Sequence, residues 1–70
     1  MYELIVAAFD ESLKELSSTV VLRDSDRLKL EGLLEKKPTK NMNKAAEAEK
    51  AKHKGSVYTI FRVTLQKEIA

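Results

Sequence analysis

Asn41-Met-Asn-Lys-Ala-Ala-Glu-Ala-Glu-Lys-Ala-Lys-His-Lys-Gly55-Ser-Val-Tyr-Thr-Ile-Phe-Arg-Val-Thr-Leu65 is the stretch that decides the fold. Its second half alternates: Val57, Thr59, Phe61, Val63 and Leu65 fall on one face of a pleat, Tyr58, Ile60, Arg62 and Thr64 on the other. That period of two, carried by β-branched and aromatic residues, predicts a half-buried strand. The first half is rich in alanine and charge and predicts a helix over about Lys40 to Lys54. Lys52, His53 and Lys54 stand where a helix exposes carbonyls, and Gly55 stands where a left-handed cap is needed.

Working back towards the N-terminus, Pro38 removes a backbone donor and pushes Lys37 out of helical geometry, so it ends whatever precedes it. Thr39 or Asn41 then caps the alanine-rich helix, whose apolar side is Met42 and small residues. Before Pro38, Asp24, Ser25 and Asp26 are turn or capping residues. A helix from about Asp26 to Lys37 places Leu30, Leu33 and Leu34 on one stripe, with Leu28 off it and Gly32 costing about 1 kcal/mol against alanine. A strand over Arg27 to Glu31 is the alternative, because Leu28 and Leu30 alternate with charges.

Tyr2 to Phe9 is apolar on both faces apart from Glu3, which suits a central strand covered on at least one side. From Leu16 the pattern alternates again, with Leu16, Val20 and Leu22 expected inward and Ser17, Thr19 and Arg23 outward, and the pair is read as a hairpin. A short helix capped by Asp10, burying Leu13 and Leu16, competes for the intervening residues. The fold class expected is α+β in ββααβ order: a small antiparallel sheet of about three strands with two helices packed on one face.

The chain has 70 residues and no cysteine. One domain over residues 1–70 is expected, near the size limit for independent folding and without disulfides or thiolate metal sites to support it. Self-association, as a homodimer for example, is therefore anticipated. The apolar run Leu4 to Phe9 is far short of the roughly 20 residues of a membrane span, and no basic segment precedes it as in a signal peptide. A cytoplasmic protein without a membrane partner is the expectation.

Residues 1–35 hold eight acidic and four basic side chains, residues 36–70 three acidic and nine basic, so the halves carry −4 and +6. The basic set Lys36, Lys37, Lys40, Lys44, Lys50, Lys52 and Lys54, extended by Arg62 and Lys67, could neutralise phosphates without reading sequence. Glu47 and Glu49 interrupt it and stacking aromatics are few, so a solvated helix face is the simpler reading. His53 is the single histidine, which leaves no supporting set for a Ser-His-Asp or two-histidine metal site; its place suits a helix C-terminal cation. Asp10, Glu11, Asp24 and Asp26 fall at turns, where they cap. Catalytic residues, cofactors and metals are expected to be absent. Tyr58, Ile60 and Arg62, on the outer face of the last strand, form a mixed apolar and cationic patch of the kind protein interfaces use.

The element order, closing on Gly55-Ser-Val-Tyr58-Thr-Ile-Phe61-Arg-Val63, resembles small early bacteriophage proteins, in which a Y-x-h-F-x-V strand often ends a chain of this size. The resemblance implies a non-enzymatic protein that binds and inhibits a host protein of defence or transcription. It assigns no functional residue, and the basic balance departs from the acidity of a DNA mimic. Electrostatic nucleic-acid binding through residues 36–54 is the alternative.

Overall fold

A computed structural model describes residues 1–66, so Lys67 lies outside the described residues. The elements are β1 (Tyr2–Phe9), β2 (Glu15–Asp24), α1 (Arg27–Glu35), α2 (Lys40–Lys50) and β3 (Tyr58–Leu65). The strands form one antiparallel sheet in the order β2-β1-β3, which puts the most apolar strand in the middle. The class is the α+β expected.

Leu4, Val6 and Ala8 have no exposed surface and, with Tyr2, line the face that the helices cover. Leu4 meets Leu30 of α1 and Met42 of α2, and Phe61, Val63, Val21 and Leu33 pack around them. α2 lies mainly over β1 and β2, α1 mainly towards β3. The Cα extents of 36 × 34 × 18 Å agree with one sheet and one helix layer, leaving the other sheet face bare.

The hairpin is closed by Asp10, whose Oδ1 accepts from Ser12 N–H at 2.9 Å and Lys14 N–H at 3.0 Å. No helix forms there, and β2 begins at Glu15. Asp26 caps α1 by accepting from Leu28 N–H at 3.1 Å, so this segment is helix and not strand. Leu30 is buried and Leu33 packs on the core, but Leu34 at the end of the stripe is 39% exposed. Thr39 caps α2 through Met42 N–H at 3.2 Å.

Two expectations are corrected. α2 stops at Lys50 rather than Lys54: the N–H groups of Lys52 and His53 turn back to Glu49 and Lys50 carbonyls in tight three-residue bonds. Lys52, His53 and Lys54 therefore follow the helix, and Gly55, with φ +88°, serves the turn into β3. The faces of β2 are also exchanged over Ser17 to Val20, whereas Leu22, opposite Leu4, and Arg23, opposite Glu3, keep the inward and outward sides expected of them. Ser17 and Thr19 point at α2, while Leu16 is 38% exposed and Val20 lies on the bare face. The reason is a pair of register shifts, opposite Leu4/Ile5 and Ala8/Phe9, each inserting one residue into β2 and breaking its alternation. At the first shift Val21 packs on the core and Leu22 lines the same space beside Leu4 and Met42.

Candidate functional site: the bare sheet face and the Glu49 cluster

The β1–β3 register runs through eight pairs without a shift, from Tyr2↔Leu65 to Phe9↔Tyr58. Alternation then fixes the faces. Thr59, Phe61 and Val63 share the side of Val6 and Leu4, and Tyr58, Ile60 and Arg62 share the side of Phe9, Ala7 and Ile5. Tyr58 and Ile60 are 38% and 45% exposed, and Tyr58 stacks on Phe9 with ring centroids 5.7 Å apart. Stacked aromatics of this kind hold each other's rotamers and add about 0.5–1.5 kcal/mol beyond area burial.

Arg62 reaches across the face to Glu15 of β2, Nη1 to Oε1 at 2.6 Å, and Arg23 bonds Glu3 at 2.7 Å. Ile5 and Ala7 are buried on this face although no helix covers it: both lie on the central strand, and Ile5 sits among the residues of the two bridges. A shallow depression lined by Glu3, Ile5, Glu15, Val20, Arg23 and Arg62 runs between them. The three residues singled out from sequence are thus brought together, with Glu3, Glu15, Arg23 and Phe9 as members that sequence reading missed. The partner strand's register was needed to find them.

The lysines are divided. Lys36, Lys37, Lys40, Lys44 and Lys54 are exposed, Lys50 lies 3.9 Å from Glu47, and Lys52 is drawn to the sheet by Glu49 and Thr19 at 3.0 and 2.9 Å. They lie in the helix layer or the turns beside it, away from Tyr58, Ile60 and Arg62.

A second cluster surrounds Glu49, which is 1% exposed on the buried side of α2. Oε2 accepts from the Ser17 hydroxyl, and Oε1 from Thr19 at 2.5 Å and Lys52 Nζ at 3.0 Å. Burial pushes the Glu49 carboxyl up, but the Ser17, Thr19 and Lys52 bonds outweigh it and hold it down at about 2. His53 Nε2 lies 2.7 Å from Ser17 Oγ, so the lone histidine is engaged with β2 and not with helix carbonyls. A serine, a histidine and a carboxylate are therefore in contact, an assembly the sequence spacing did not suggest. The order of contacts differs from that of a nucleophilic triad, in which histidine lies between the other two. Here serine lies between them: it gives its proton to Glu49, and its oxygen is left to accept from His53 Nε2–H. Every buried side-chain polar atom among the described residues is hydrogen-bonded, so the cluster acts as a clamp between α2 and β2.

An apolar pocket of about 240 Å³ opens between β2 and the helices, lined by Leu4, Val21, Leu22, Leu33 and Met42. That is below the roughly 300–1,000 Å³ usual for small-molecule sites. No helix among the described residues is long and apolar enough to cross a membrane. No protein family, curated protein or solved structure matches the chain.

Proposed function

We propose that this protein is a non-enzymatic protein-binding module that docks through the bare face of its sheet, with Ile60 and Tyr58 as apolar anchors and Arg62 beside them. The observation that carries the reading is the one-sided helix layer, which leaves Tyr58 and Ile60 exposed, beside a half-buried Phe9, next to two Arg–Glu bridges. An apolar centre with a charged margin is the anatomy of a protein interface. The partner it fits is a protein surface with an apolar patch and both signs of charge nearby. A host protein inhibited by a bacteriophage product is the narrower form of this proposal, and it rests on the resemblance of the closing strand alone. Nucleic-acid binding is the weaker reading, since Lys50 and Lys52 are already beside carboxylates.

The test is capture of partners from a bacterial lysate by wild type, Ile60→Asp and Arg62→Glu, with circular dichroism to confirm that all three are folded. A protein retained by wild type and lost from both variants is the expected result. Equal retention by folded variants would remove the bare face from consideration, and retention of nucleic acid that is lost in Lys40→Glu/Lys44→Glu would favour the lysines.

A further inference from the structure

The two edges of the sheet are built differently. β2 is interrupted by two register shifts, and such bulges disrupt an edge's capacity to take another strand. β3 has none. Its eight residues pair with β1 without a shift and include no proline, glycine or lysine, the usual edge blockers. Its one charge, Arg62, is turned inward across the sheet to Glu15.

The hydrogen bond from Gln66 N–H to Met1 O, at 2.9 Å, sets the parity of the ladder. In antiparallel pairing, Gln66, Thr64, Arg62, Ile60 and Tyr58 then turn their backbone groups to β1, and Thr59, Phe61, Val63 and Leu65 turn theirs outward. Among the described residues no strand lies beyond β3. The helix layer also leaves this edge incompletely covered: Phe61 and Val63 are only half-buried and Leu65 is 64% exposed.

We infer that β3 pairs antiparallel with β3 of a second copy about a two-fold axis, joining two sheets into one of six strands. A two-fold operator makes the donors of one edge meet the acceptors of the same edge in its partner. Because the outward groups are on odd-numbered residues, the register must pair odd with odd. Centring it on Phe61 sets Thr59 opposite Val63 and Ile60 opposite Arg62, whereas centring it on Arg62 would oppose two guanidinium-bearing residues. The middle of β3 lies between Phe61 and Arg62 and centres farther out pair fewer residues, so the Phe61-centred register is the one that remains. It also brings the two half-buried Phe61 side chains together under the helix layers and joins the two bare faces side by side. The inference does not depend on the docking role proposed for that face.

The experiment is sedimentation equilibrium of wild type and Thr59→Pro from low to high micromolar concentration, with backbone amide exchange measured on the wild type. Proline at 59 deletes an outward N–H and spares the bonds to β1, so a folded monomer is expected where wild type is a dimer. In wild type, protection of the Thr59, Phe61 and Val63 amides should rise with concentration, while Ile60, Arg62 and Thr64 stay protected throughout. This second measurement decides the matter should Thr59→Pro fail to fold. A strict monomer over the whole range overturns the inference. So does a dimer whose Thr59, Phe61 and Val63 amides exchange freely, or a monomer whose outward amides become protected only when a different protein is added.

Discussion

Glu49 links the two layers through one carboxylate, and its chemistry makes the link sensitive to acid. Its folded value of about 2 lies below the ordinary 4.5, so the unfolded chain binds the proton first as pH falls. The stabilisation is complete above 4.5 and is lost on the way down to 2, amounting to at most about 3 kcal/mol. Urea unfolding at a series of pH values should show wild type losing stability in that window, with Glu49→Gln weaker at neutral pH and converging on wild type near pH 2. A constant gap between them would contradict the assignment. Asp24 is also held below its ordinary value, first by Asp26 N–H, but it is common to both proteins and cancels in the comparison. Leu13 offers a test of opposite sign. It sits in the hairpin turn at φ +66° and 72% exposed, a conformation that costs a residue with a Cβ about 1–2 kcal/mol. Leu13→Gly should raise stability by roughly 0.5–1 kcal/mol after the greater freedom of glycine in the unfolded chain is counted, and thermal unfolding would detect a loss as readily as a gain.

At the scale of elements, the parts legible in the sequence were those set by local chemistry. Tyr2 to Phe9 as central strand, Pro38 as a stop, Thr39 and Asp26 as candidate caps and the alternation of Tyr58 to Leu65 all follow from residue type and period. β2 was legible as a strand and only in part as a surface. Two inserted residues set by pairing with β1 exchange the faces of Ser17 to Val20 while Leu22 and Arg23 keep theirs, and nothing within Leu16 to Arg23 marks where the insertions fall. The end of α2 failed for a related reason. Lysine and histidine before glycine suit a helix C-terminus, but Ser17 and Thr19, 30 to 36 residues away, take Glu49, Lys52 and His53 for the clamp. The bare face was half legible: Tyr58, Ile60 and Arg62 follow from the alternation, while Glu15 and Phe9 enter only through register.

For the molecule as a whole, two layers mean that each residue of β3 either holds the fold or faces outward. Phe61 packs against the core cluster from an edge strand, while Ile60 projects from the bare face at 45% exposure. The most direct measurement is therefore chemical denaturation of Phe61→Ala and Ile60→Asp beside wild type, at one low protein concentration. Phe61→Ala should cost about 2–3 kcal/mol, less than the roughly 3–5 of a fully buried phenylalanine because this one is half-buried. Ile60→Asp should cost under about 1 kcal/mol, as expected of a surface substitution. If Ile60→Asp unfolds the protein while Phe61→Ala leaves its midpoint unchanged, the helices cover the other face and the two-layer account is wrong.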